Sequence, residues 1–124
     1  MDEAGVVRWV EAYRRAWTSN DPAEIGALYS ADAQYYMRPY REPVVGRDAI
    51  VADWLERRDE PGDTTFSFEV VSACGPVGVV QGATSYLAEG LDLVNLWVLR
   101  FDAEQRATEF TEWWMEVDGA GGQE

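Results

Sequence analysis

LDLVNLWVLRFDAEQRATEFTEWWMEV, residues 91–117, decides how the rest of the chain is organised. Leu91 to Phe101 reads as a strand that is apolar on both faces and therefore expects cover on both sides. Asp102 to Gln105 is a turn. Arg106 to Val117 is a second strand, and alternate side chains of a strand face opposite ways. Phe110, Glu112 and Trp114 share one face; Thr111, Trp113 and Met115 share the other. A carboxylate between two aromatic rings has two readings. Either Glu112 faces water on an outer sheet surface, or the rings line a cavity and Glu112 is its polar group.

The pattern extends upstream. Val77 to Leu87 reads as a strand, and Gly78 and Gly82 suggest a bulge or bend in it. Thr65 to Ala73 alternates around Phe66, Phe68 and Val70. Gly75-Pro76 and Glu89-Gly90 mark the turns between them. Strands joined by short turns favour an antiparallel meander.

The first half of the chain is mainly helical. Val6, Val7, Trp9, Val10, Tyr13, Ala16 and Trp17 recur at helical spacing and predict an amphipathic helix from about Glu3 to Thr18. Asp21-Pro22-Ala23-Glu24 reads as an N-cap, a first-turn proline and a first-turn acid. A short helix follows, expected to reach Tyr29 and bury Ile25, Leu28 and Tyr29. Ala33 to Arg38 is a strand, with another extended piece near Val44-Val45. Gly46 precedes a third helix, about Arg47 to Asp59, closed by Pro61-Gly62-Asp63. The class is α+β, with helices on one face of a curved antiparallel sheet. One domain over residues 1–118 is expected, with a disordered tail at 119–124.

Composition narrows the function. The chain has 124 residues, 47% of them hydrophobic, and sixteen are aromatic, enough for a core and for ring-lined ligand walls. The net charge of −13 argues against nucleic-acid and anionic-membrane partners, which need a cationic surface. Histidine is absent, which removes His-based acid/base catalysis, Ser-His and Cys-His nucleophiles and His metal ligands. The single cysteine, Cys74, allows no internal disulfide and no cysteine zinc site; it reads as a small buried hydrophobe in a strand. No cofactor or metal is implied. MDEAGVV lacks the features of a signal peptide, so a cytoplasmic protein is expected.

LYSADAQYYMRPYREPVVGRDAI, residues 28–50, resembles the signature of the nuclear transport factor 2-like superfamily, which includes SnoaL-like cyclases and ketosteroid isomerases. LRFDAEQRATEFTEWW, residues 99–114, resembles its final hairpin. The resemblance implies a conical barrel, in which a strongly bent antiparallel or mixed sheet wraps around three helices and leaves a cavity at its open end. It also implies homodimers through the outer sheet face.

In the isomerase branch of that superfamily, the oxyanion-hole tyrosine corresponds to Tyr13 and two further pocket tyrosines correspond to Tyr29 and Trp54. The general-base aspartate corresponds to Met37, which cannot take a proton. The protonated aspartate corresponds to Trp97, which donates a hydrogen bond but is not an acid. The isomerase mechanism is thereby excluded. The epoxide hydrolase branch needs an Arg-x-Asp on an internal strand; the only such triplet, Arg100-Phe101-Asp102, lies at a strand end. Scytalone-dehydratase-like chemistry needs histidine. SnoaL-like cyclases need a carboxylate in an apolar cavity, and Glu112 meets that need.

The resemblance therefore implies a cavity wall of Tyr13, Trp17, Tyr29, Met37, Trp54, Asn95, Trp97, Leu99, Phe110, Glu112 and Trp114. Thr111, Trp113 and Met115 fall on the outer face as a dimer interface. A binding protein for an apolar or aromatic small molecule is the leading expectation. An isomerase, cyclase or hydrolase using Glu112 as acid/base and Tyr13 as donor is the alternative. A dimeric interaction domain with a vestigial cavity is a third. Pairing of Glu112 with an arginine such as Arg38 would remove its functional reading.

Overall fold

The computed structural model describes residues 1–58 and 64–117. Three helices, α1 (Glu3–Ser19), α2 (Pro22–Gly26) and α3 (Arg47–Glu56), accompany six strands, β1 (Tyr29–Tyr36), β2 (Val44–Val45), β3 (Thr64–Cys74), β4 (Val77–Tyr86), β5 (Leu91–Phe101) and β6 (Ala107–Glu116). They form one curved, unclosed sheet in the order β2-β1-β6-β5-β4-β3. The four long strands make the expected antiparallel meander, and β1 joins it parallel to β6. The expected disordered tail and the Pro61-Gly62-Asp63 stop lie outside the described residues.

Local chemistry sets the helix ends. Asp2 Oδ1 accepts from Gly5 N at 2.8 Å, and Asn20 closes α1 in the left-handed region at φ 54°. Asp21 Oδ1 then accepts from Ala23 N at 2.9 Å and starts α2 on Pro22. This helix is shorter than its sequence suggests. Leu28 and Tyr29 lie beyond its end, and Tyr29 is the first residue of β1. The reason is long-range: Leu28 O accepts from Ala107 N at 2.8 Å and from Trp9 Nε1 at 3.0 Å. These bonds, with the pairing of Tyr29 to Ala107, hold the chain here against β6 and α1 as a strand entry rather than a further helical turn.

The core lies between α1 and the concave sheet face. Val6, Val10, Ala16, Leu99 and Phe110 are fully buried there, with Trp9 among them. Trp9 meets four rings, those of Tyr13, Tyr29, Phe101 and Phe110, at centroid distances of 5.7 to 6.1 Å. Such contacts each add about 0.5–1.5 kcal/mol beyond the area buried.

Three expectations need correction. Strand β5 is covered on one face only within this chain: Val94 and Leu96 on its other face are exposed. Cys74 ends β3 and is exposed, because it sits at the edge strand's last residue rather than over the core. Gly78 and Gly82 do not bulge β4, which pairs with β5 without a register shift. The bulge lies in β3, between Val70 and Ser72.

Close approach explains the glycines instead. A Cβ on Gly82 would lie 2.7 Å from Phe66 Cε1 and 3.1 Å from Ser67 O. The Phe66 ring cannot simply swing away, because it stacks on Trp97 at 5.2 Å and on Phe68 at 5.9 Å. Gly82→Ala is therefore expected to lower stability by about 1–3 kcal/mol through overpacking. Urea denaturation measures this, and an unchanged midpoint would show that the ring stack yields freely.

Candidate functional site

The site is built on β5 and β6, where alternation and register bring inward-facing side chains together. Trp97 pairs with Glu112, Asn95 with Trp114 and Leu99 with Phe110. Asn95 Nδ2 donates to Glu112 Oε2 at 2.7 Å, and Trp97 Nε1 donates to the same oxygen at 3.0 Å. From β4, Thr84 Oγ1 donates to Asn95 Oδ1 at 2.8 Å. That bond holds the amide oxygen and turns the amide nitrogen toward Glu112. Thr84 and Asn95 are both buried.

No arginine pairs with Glu112 among the described residues; the ion pairs found are Arg14–Glu11, Arg57–Asp53 and Arg100–Glu109. Arg38 instead lies over the Trp114 ring, 5.0 Å from its centroid. Burial pushes the Glu112 carboxyl above the ordinary glutamate range, and the donors Trp97 and Asn95 pull it part of the way back. A raised folded-state pKa gives stability that is complete below the unfolded pKa and lost as pH rises through the folded one. Ionised Glu112 is thus a cost to the fold at neutral pH.

Glu112 opens onto a half-open cleft of about 450 Å³. Tyr13 and Trp17 of α1, Trp54 of α3, Met37 just after β1, Asn95 and Trp97 of β5, and Trp114 of β6 line it. The rings pack on one another: Tyr13 lies 4.7 Å from Trp97 and 5.0 Å from Trp54. Trp54 Nε1 donates to Asn20 Oδ1 at 3.2 Å, which ties α3 to the end of α1.

Tyr29, Leu99 and Phe110 do not line the cleft; all three are fully buried. Phe110 is sandwiched between Tyr35 at 4.8 Å and Tyr13 at 5.9 Å, nearly parallel to both. Those two rings shield it from the opening. Tyr29 lies edge-on to Trp9 and Tyr35.

Sequence reasoning missed Tyr35, Thr84 and Asp53, which also line the cleft. Tyr35 lies two residues before Met37, on the same side of an extended chain, so strand alternation applied to Met37 could have found it. Burial pushes the Tyr13 and Tyr35 hydroxyls well above the ordinary tyrosine range. They remain phenols, able to donate a hydrogen bond but not to act as bases near neutral pH. At the mouth, Arg57 Nη2 meets Asp53 Oδ1 at 3.1 Å. Among the described residues no three His, Cys, Asp or Glu side chains are grouped to hold a metal ion.

On the outer face Thr111, Trp113 and Met115 pair with Val98, Leu96 and Val94, and these with Val79, Gln81 and Ala83. Trp113 and Met115 are exposed, and Thr111 is half-buried. Among the described residues no helix is long and apolar enough to cross a membrane.

Solved structures share this architecture. An NTF-2 like protein of unknown function from Burkholderia xenovorans LB400 superposes with a TM-score of 0.76 at 18% identity, covering 98% of this chain and 91% of its own. A ketosteroid isomerase-like protein from Erwinia carotovora atroseptica SCRI1043 gives 0.66 at 21% identity, with 94% and 96% covered. An ntf2-like protein of unknown function from Mesorhizobium loti gives 0.70 at 16% identity, with 91% and 93% covered. At these identities the likeness speaks for the fold alone. No curated protein matches the chain. The model of the SnoaL-like domain matches residues 10–119, so the hairpin that carries Glu112 and Tyr13 itself both fall within it, and the chain belongs to the SnoaL-like domain family.

Proposed function

We propose that the cleft binds an apolar or aromatic small molecule, with Glu112 as its polar anchor. One observation carries this reading: a half-buried carboxyl, hydrogen-bonded on one oxygen by two neutral donors, has no arginine partner among the described residues and opens onto an aromatic-walled cleft. A core made only for stability has no use for it, since an unpaired buried acid costs free energy. Pockets that combine apolar walls with a few placed polar groups are the usual form of small-molecule sites.

A second reading has its own support. A carboxyl raised by burial lies closer to the range useful in acid/base work. The Tyr13 phenol in the same cleft is a donor for a substrate oxygen. In this reading the protein is an isomerase, cyclase or hydrolase with Glu112 as acid/base. Met37 and Trp97 occupy the positions of the ketosteroid isomerase acids, so that particular reaction is not proposed. Nothing observed favours a vestigial cleft over these two readings.

A homodimer through the outer sheet face accompanies the proposal. Val79, Val94, Leu96, Val98, Trp113 and Met115 form a continuous apolar surface across β4, β5 and β6 in register. Trp113 at 51% and Met115 at 68% exposure leave large apolar area in water. An isologous pair of such faces would bury it.

Two tests follow from these readings. Native mass spectrometry of the protein against a panel of aromatic and polycyclic compounds should give stoichiometric complexes, and Glu112→Gln should abolish any turnover detected. Undiminished turnover in that variant would remove Glu112 from catalysis, and failure of every compound to bind would remove the binding reading. For the outer face, sedimentation velocity should show a dimer that Leu96→Glu converts to a folded monomer. A wild-type protein that sediments as a monomer at micromolar concentration contradicts the interface.

A further inference from the structure

Among the described residues no cationic side chain is placed to neutralise the charged form of Glu112. All ten basic residues are arginines, with no lysine. Among the described residues none of them lies within ion-pair distance of the carboxyl. The groups that do reach it, the Asn95 amide and the Trp97 indole, are neutral N–H donors on one oxygen, Oε2. They solvate the charge without cancelling it. No protein hydrogen bond to the other oxygen is found among the described residues.

The walls around that oxygen have a matching chemistry. The Tyr13 ring lies 4.7 Å from that of Trp97 and 5.0 Å from that of Trp54, and Trp17 and Trp114 line the same cleft. Aromatic faces attract cations through the ring quadrupole, and indole does so best. Trp114, one of the lining residues, already takes the Arg38 guanidinium over its ring at 5.0 Å. The mouth agrees in sign. Asp53, Glu89 and Glu116 line the cleft with Glu112, against the two guanidiniums of Arg57 and Arg58. Arg57 is engaged by Asp53 at 3.1 Å. The net charge of −13 raises the local concentration of cations around the whole molecule.

We infer that the ligand of the cleft is an organic cation: an ammonium group borne on an apolar or aromatic body, its charge set against Glu112 and its body among the rings. The inference rests on the small-molecule reading above and narrows it to one ligand class. It needs no covalent step. A neutral polycycle would fill the same walls but leave the carboxylate uncompensated. A carboxylic acid would face Glu112 with like charge.

Three probes with one ring system separate these cases: 1-naphthylmethylamine, 1-naphthylmethanol and 1-naphthoic acid, titrated at neutral pH by calorimetry. The amine should bind at least about tenfold more tightly than the alcohol, and the acid most weakly. In Glu112→Gln the amine's advantage should collapse while the alcohol's affinity changes little. Amine and alcohol binding equally well, or the acid binding best, overturns the cationic ligand but leaves small-molecule binding standing. An amine advantage of equal size in Glu112→Gln also overturns it, because the charge would then act from elsewhere. Binding of none of the three overturns the cationic ligand together with the binding reading. The wild-type comparison decides between amine and alcohol without the variant, should Glu112→Gln fail to fold.

Discussion

Trp9 holds the two halves of the molecule together. Its indole nitrogen donates to Leu28 O at 3.0 Å, and that same carbonyl accepts Ala107 N at 2.8 Å. One oxygen thus joins the first helix, the entry to β1 and the start of β6. The ring closes the arrangement by packing against Tyr29, Phe101 and Phe110 from three strands. Tyr13 lies one helical turn further on, on the same side of α1. It therefore falls above Phe110 and beside Trp97, where the sealed core ends and the cleft begins. The site takes its position from this join.

The alternation of β5 and β6 divides everything else. Their inward positions run from core (Leu99, Phe110) through the polar trio of Asn95, Trp97 and Glu112 to the mouth at Trp114. Their outward positions form the apolar surface of Leu96, Trp113 and Met115. A one-residue slip in either strand would exchange the two sets. Thr84 extends the same logic into β4. By occupying Asn95 Oδ1 it sets which end of the amide faces the acid, and so whether Glu112 meets a donor or a second acceptor.

Most of the fold was legible because its signals are local. Periodicity located α1, α3 and the four long strands, and caps such as Asp21-Pro22 located the helix starts. The end of α2 was not legible, since Leu28 and Tyr29 are drawn to the sheet by Ala107, a partner far along the chain. Which residues share a face with Glu112 could be read; whether that face looks inward, and how deep each neighbour lies, could not. Tyr29, Leu99 and Phe110 share the inward side with true lining residues, but the rings of Tyr13 and Tyr35 cover Phe110, which no pattern in one strand reveals. Thr84 was hidden for a similar reason: its role depends on the β4–β5 register.

A half-buried carboxyl with neutral donors and, among the described residues, no cation beside it is the feature on which the proposed function turns. The most direct measurement is a carbon-13 NMR titration of the Glu112 side-chain carboxyl, assigned by comparison with Glu112→Gln. The account predicts a midpoint clearly above that of an ordinary glutamate, because burial outweighs the two hydrogen bonds. A midpoint at or below the ordinary value would mean that the charge is already satisfied by water or a protein cation, and would contradict the account.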